Sequence, residues 1–253
     1  MHLTTKALVL REVNYKESDK ILTVLTPGEG KLTLSARGCR KKGSPLGAAC
    51  QLLVWSEMTL YEYQGRWAVK EATILRQFAP VRADLEKLAL ASYFAEVTEA
   101  LAEEGQTESE LLSLILNCLH GLEKLDLPRT QIKTAFEWKA MALAGYEPMT
   151  EGCAVCGCQP EEPRIHLGEG VIHCAPCRPE LGDGISMPLT PAALEALRHV
   201  VLGDPKRLFS FRLDCGSLRG LSDASEAYLM TRLERGFRTL DFYKSLQLSE
   251  DMI

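Results

Sequence analysis

The first third of the chain is a series of short β-rich apolar runs, at 5–10, 21–26, 31–36, 53–61 and 67–75. Turn chemistry separates several of them. Thr26-Pro27-Gly28-Glu29-Gly30 joins the second run to the third, and Gln64-Gly65 joins the fourth to the fifth. Five short strands in under 80 residues predict a small closed or nearly closed barrel, because an open sheet of that size leaves exposed edges. A five-stranded oligonucleotide-binding (OB) barrel and a barrel of SH3 type both satisfy this pattern.

Beyond residue 80 the apolar period becomes helical. Across 84–104, Leu85, Leu88, Ala89, Tyr93, Phe94, Val97 and Leu101 form a broad apolar face; across 109–124, Leu111, Ile115, Cys118, Leu119 and Leu122 form a stripe. Pro128 suits the start of a third helix, with Ile132, Phe136, Ala140 and Leu143 inward and Gly145 as its stop. Thr190-Pro191 reads as an N-cap followed by proline at the first helical position. A last helix is predicted over 223–243, with Asp223 and Glu226 as a capping box and Leu229, Leu233, Phe237 and Leu240 as its stripe. The expected fold is therefore α+β and multidomain. Its parts are a barrel at 1–79, a helical domain at 80–150, a cysteine-rich insert at 151–180 and the rest of the helical domain at 181–253.

Composition excludes more than it identifies. A hydrophobic fraction of 46% and a charged fraction of 25% are those of an ordinary globular chain. No apolar run approaches the ~18 residues of a membrane span, so no membrane partner is expected. Residues 1–10 lack the apolar core of a signal peptide, which makes a reducing cytoplasm the expected compartment. The net charge of −5 conceals an asymmetry: residues 1–77 carry 12 Lys and Arg against 7 Asp and Glu. That positive N-terminal third is the part suited to an anionic partner.

Cys153, Cys156, Cys174 and Cys177 form two C-x2-C pairs separated by 17 residues, the spacing of a tetrathiolate metal site. Gly157 gives the first pair a residue without Cβ at its turn, and Pro176 stiffens the second. Four thiolates fill the shell of one Zn2+ and leave no position for a catalytic water, so the site reads as structural rather than enzymatic. Nine cysteines, an odd number, argue against a disulfide framework. Cys158 and His173 lie close enough in sequence to a ligand to substitute in a three-plus-one arrangement; the simpler reading makes them bystanders.

Between the third and fourth strands, Arg37, Arg40, Lys41 and Lys42 sit among Gly38, Gly43, Pro45 and Gly47, predicting a mobile basic loop. A solvated turn would account for such a run. On a net-positive barrel it also meets the needs of sequence-independent phosphate binding, with Tyr15, Tyr61, Tyr63 and Trp67 as candidate stacking groups or core residues. Gly28-Glu29-Gly30-Lys31 is not a nucleotide-binding loop, because that motif requires Gly at 25 and Ser or Thr at 32, and both are leucine.

The order of these parts resembles the bacterial recombination-mediator family RecO. The likeness runs through Ala7-Leu8-Val9-Leu10-Arg11, Tyr15-Lys16-Glu17-Ser18-Asp19-Lys20-Ile21-Leu22 and Thr26-Pro27-Gly28-Glu29-Gly30-Lys31. It continues in Ala36-Arg37-Gly38-Cys39-Arg40-Lys41, Phe136-Glu137-Trp138-Lys139, Leu143-Ala144-Gly145-Tyr146-Glu147-Pro148 and Cys153-Ala154-Val155-Cys156-Gly157. The resemblance implies an OB-fold barrel, then a helical domain with an embedded zinc finger. It also implies binding of single- and double-stranded DNA, annealing of complementary strands coated with single-stranded-DNA-binding protein (SSB), and loading of RecA together with RecR. DNA contacts are expected from Arg37, Arg40, Lys41 and Lys42, helped by Lys6, Arg11 and Lys16. The family's recognition of the SSB C-terminal tail is assigned provisionally to Arg129, Lys133 and Phe136. The alternative is a zinc-ribbon adaptor or transcription protein that uses the cysteine module itself as its nucleic-acid contact.

Overall fold

The computed structural model describes residues 2–181 and 183–250. Five strands, β1 (His2–Tyr15), β2 (Asp19–Thr26), β3 (Gly30–Ala36), β4 (Trp55–Tyr63) and β5 (Arg66–Arg76), close into a barrel in the order β1-β2-β3-β5-β4. Every pairing is antiparallel except β3 with β5, where Leu34 faces Trp67 and Ser35 faces Ala68 in parallel register. This mixed, closed five-stranded arrangement is the OB-type barrel. It decides between the two barrels that the run count left open.

Strand β1 is longer than its apolar run predicts because it serves two neighbours. Residues His2 to Leu8 pair with β4, and Leu8 to Tyr15 pair with β2 across an irregularity at Val9/Arg11. At its centre Ala7, Leu8, Val9 and Leu10 are all buried, since Ala7 and Val9 enter the barrel core while the opposite face of the strand is covered by a helix. The Gln64-Gly65 turn has both residues at positive φ, 51° and 72°, the handedness that a two-residue hairpin requires.

The chain forms two compact units, one of Met1–Leu125 with Phe237–Ile253 and one of Asp126–Gly236. In the first, the barrel is joined by α1 (Ala79–Ala83), α2 (Leu85–Leu101), α3 (Ser109–Lys124) and α7 (Arg238–Glu250), with α2 packed on α7 and on β1. Gly30 is required by close approach here: at φ +62° a Cβ would lie 2.2 Å from the Glu103 carbonyl oxygen. The turn that mimics a nucleotide loop is thus a packing contact. The Lys31 N–H donates to Glu103 O at 3.0 Å, and the Gly105 N–H donates to Glu29 O at 3.0 Å.

In the second unit, α4 (Arg129–Leu143), α5 (Pro191–Leu202) and α6 (Cys215–Leu233) pack together beside a three-stranded sheet. That sheet comprises β6 (Pro163–His166), β7 (Val171–Cys174) and β8 (Ser186–Pro188), in the order β7-β6-β8. Trp138 on α4 and Tyr228 on α6 are fully buried with ring centroids 5.1 Å apart. The cap of α5 is as expected, with Thr190 Oγ1 accepting from the Ala193 N–H at 3.1 Å, an interaction worth about 1 kcal/mol.

The predicted final helix over 223–243 is corrected. Asp223 and Glu226 lie inside α6, whose true N-cap is Asp214, accepting from the Ser217 N–H at 3.0 Å. The helix stops at Glu234, which adopts φ 50°, and a new helix begins at Arg238. The apolar stripe therefore belongs to two units: Leu229 is buried in the second, Phe237 and Leu240 in the first. Among the described residues no helix is long and apolar enough to cross a membrane.

Candidate metal centre and nucleic-acid interface

The Sγ atoms of Cys153, Cys156, Cys174 and Cys177 lie within 4.8 Å of one another. A tetrahedral zinc with Zn–S bonds of about 2.3 Å needs sulfurs about 3.8 Å apart, and Cys156 and Cys174 already stand at 3.9 Å. The donor set fits a thiophilic metal ion, and four thiolates would complete its tetrahedral shell.

Two local structures deliver these thiols. In the first, the Gly157 N–H donates to Cys153 O at 2.8 Å and the Cys153 N–H to Cys158 O at 2.9 Å, with Gly157 at φ +74° reversing the chain. In the second, Cys174 ends β7, and the Cys177 N–H returns to Cys174 O at 3.1 Å. The Ala154 N–H donates to Ile172 O at 2.8 Å, tying the first turn to β7. The Cys174 N–H points at Cys153 Sγ at 3.4 Å.

These backbone dipoles act on the thiols. Burial alone raises the Cys153 pKa, but N–H groups of Cys156, Cys174 and Val155 outweigh it and bring the thiol to about 6. Cys177 is pushed up to about 11, first by its hydrogen bond to Cys156, and Cys174 is raised further by Cys158. Cys156 is lowered as well, first by its hydrogen bond to Cys158. Two thiols of the set are thus shifted toward thiolate and two away from it, and metal binding would release protons.

His173 is not a ligand. It is fully buried with both ring nitrogens engaged, Nδ1 at 2.8 Å from Cys174 O and Nε2 at 2.8 Å from Ser186 Oγ. A carbonyl only accepts, so Nδ1 carries the proton and the Ser186 hydroxyl donates to Nε2. Burial holds its pKa below the ordinary imidazole value. Cys158 differs: its Sγ stands 3.1 Å from Cys156 Sγ and 3.4 Å from Cys174 Sγ.

The basic segment after β3 is not loose chain. Successive turns are closed by Lys41 N–H to Gly38 O at 3.1 Å, Ser44 N–H to Lys41 O at 3.0 Å and Gly47 N–H to Ser44 O at 3.2 Å. Cys39, Leu46 and Cys50 anchor it in the barrel core, while Arg37, Arg40, Lys41 and Lys42 remain exposed. It is also clasped to the β1–β2 turn. Asp19 Oδ1 accepts from the Gly38 N–H at 2.7 Å, the Arg40 N–H donates to Ser18 O at 2.9 Å, and Arg40 Nη1 reaches Lys16 O at 3.3 Å. Lys16 and Tyr15 are exposed beside the clasp, with Lys16 Nζ 5.3 Å from the Tyr15 ring centre.

Five expected cations, Lys16, Arg37, Arg40, Lys41 and Lys42, thus share one end of the barrel. Two do not join them. Arg11 is committed to Glu99 at 2.9 Å, and Lys6 stands opposite Glu57 in the part of β1 that pairs with β4, ten residues before Lys16 of the β1–β2 turn. Trp67 is half-buried against the core, and Tyr63 is exposed at the β4–β5 hairpin. Asp19 carries no sequence signal for its role. An aspartate in a turn caps a distant N–H only once the barrel brings residue 38 to it.

The provisional tail site meets a plain obstacle. Lys133 and Phe136 are buried, Lys133 between Glu137 at 2.9 Å and Glu226 at 3.1 Å, and only Arg129 is partly accessible. Lys133 is thus engaged with α4 and α6 rather than presented at the surface.

Comparison with known proteins agrees with this architecture. Residues 1–78 match the family model described as "Recombination protein O N terminal", and residues 82–241 match "Recombination protein O C terminal". The chain is 32% identical over 247 residues to the DNA repair protein RecO of Acetivibrio thermocellus, covering 97% of each chain. It is 34% identical over 248 residues to that of Desulforudis audaxviator, again covering 97% of each, and 32% identical over 232 residues to that of Anaeromyxobacter dehalogenans, covering 90% of each. With its barrel and its helical, cysteine-bearing portion both matched, the chain belongs to the RecO family of DNA repair and recombination proteins.

Proposed function

We propose that this chain mediates recombinational repair non-enzymatically, by binding single- and double-stranded DNA and annealing complementary strands. In this reading it acts on SSB-coated DNA and, with RecR, helps RecA to load. The barrel at 1–79 is the DNA-binding domain, and its work is done in the bacterial cytoplasm. The observation that carries the reading is the group of five exposed cations, Lys16, Arg37, Arg40, Lys41 and Lys42, held by backbone bonds at one end of an OB-type barrel. Cations there neutralise phosphates on two strands and lower the cost of bringing them together, while base pairing supplies the specificity. Tyr15 and Tyr63 are exposed and available to stack on unpaired bases.

Cys153, Cys156, Cys174 and Cys177 would hold one zinc ion, which when bound supplies a cross-link between the two turns. The chain's own part is to present the four sulfurs from turns already tied together by Ala154 and Ile172. Its segment between α4 and α5 has short strands and few apolar residues, so such a brace contributes directly to its folding.

The test is annealing of complementary strands coated with SSB, with and without RecR. The full chain should accelerate annealing, and replacing Arg37, Arg40, Lys41 and Lys42 with alanine should remove most of that acceleration. A wild-type chain that leaves the annealing rate unchanged would overturn the reading.

A further inference from the structure

The metal turns bring together five thiols, one more than a tetrahedral ion accepts. Cys158 follows Gly157, whose positive φ returns the chain toward the cluster, and its carbonyl is fixed by the Cys153 N–H at 2.9 Å. Its sulfur is 3.1 Å from Cys156 Sγ and 3.4 Å from Cys174 Sγ, both closer than those two sulfurs are to each other at 3.9 Å. Two bound thiolates on one ion sit about 3.8 Å apart, so Cys158 stands at ligand-to-ligand distance from Cys156 and Cys174, on their edge of the four-sulfur group.

We propose that Cys158 is an exchangeable fifth ligand, able to take the place of Cys156 or Cys174 in the metal's thiolate shell. The inference rests on the proposed metal binding. Exchange conserves atoms and charge. The metal–sulfur bond to Cys156 breaks, the bond to Cys158 forms, and the proton of the Cys158 thiol passes to Cys156. Four thiolates surround the ion before and after. The same fifth sulfur gives the site a reserve: loss of one neighbouring ligand leaves four thiols rather than three.

The test uses the full-length chain with zinc and cobalt(II) as probes, and compares wild type, Cys156→Ser, Cys158→Ser and the double variant. Wild type and Cys158→Ser should each hold one metal. Cys156→Ser should also hold one, within about threefold of the wild-type affinity and with the cobalt charge-transfer intensity of four thiolates. The double variant should fall by about 100-fold and show three thiolates. Cys156→Ser behaving like the double variant would overturn the exchange while leaving metal binding intact. A wild-type chain that takes up neither metal would overturn both.

Should Cys156→Ser fail to fold, alkylation of the zinc-loaded wild type decides the matter. One thiol of the five is left unbound, and exchange spreads the label over Cys158, Cys156 and Cys174. A fixed shell confines it to Cys158 and contradicts the proposal.

Discussion

Lys133 is an ion in the wrong place for a surface role. Its ammonium lies between Glu137, which is fully buried, and Glu226, and Ser225 Oγ donates to the Glu137 carboxylate at 2.5 Å. Burial alone would lower the lysine pKa, but the two carboxylates outweigh it and raise it. The raised value places its stabilising effect at every pH below the ordinary lysine value of about 10.4, to be lost as pH rises through the folded value. Lys133→Met should destabilise the α4–α6 unit by about 3–5 kcal/mol in urea unfolding, because it leaves the fully buried Glu137 carboxyl without its ion-pair partner. A loss under about 1 kcal/mol would mean that the network is solvated and the burial argument fails. From the sequence, Lys133 beside Phe136 reads as half of a basic, apolar docking site. One turn of helix separates it from Glu137, but the face that α6 covers is a tertiary fact. The four metal-site cysteines were legible for the opposite reason, since the chemistry lies in the spacing itself.

At the scale of elements, the basic loop and the β1–β2 turn behave as one piece through Asp19. Gly38's N–H is the main cause of a lowered Asp19 pKa, with Ser18, Lys16 and Arg37 contributing. The clasp is therefore complete above the ordinary aspartate value of about 3.9, and opens only as pH falls through the lower folded value. Asp19→Ala should weaken binding of single-stranded DNA by about three- to tenfold with little change in melting temperature, while Asp19→Asn, which keeps an acceptor, should lose less. Equal affinity in Asp19→Ala and wild type would show that the loop needs no clasp. All five strands were legible from their apolar runs and turn residues. The last helix was not, because Leu229, Leu233, Phe237 and Leu240 keep a helical period straight through the break at Glu234. Periodicity records which positions are buried, and here it continues while the partner surface changes. The loop's order was equally hidden: Cys39 and Leu46 look incidental in a run of cations and glycines, yet both are barrel core.

For the whole molecule, the chain's net charge of −5 points away from DNA, and the local distribution of charge reverses that reading. The first unit gathers five exposed cations at one barrel end. The second holds four thiols that would fill the tetrahedral shell of one metal ion. In the proposed function the metal would act as a brace, and the barrel would be the surface that meets nucleic acid. The central claim is that the loop cations bind phosphate, and the salt dependence of single-stranded DNA affinity tests it most directly. Each phosphate neutralised contributes about 0.7 to the slope of log K against log salt. Replacing Arg37, Arg40, Lys41 and Lys42 with alanine should weaken binding alike on unrelated sequences and flatten the slope by roughly 3. An unchanged affinity and slope in that variant would contradict the account.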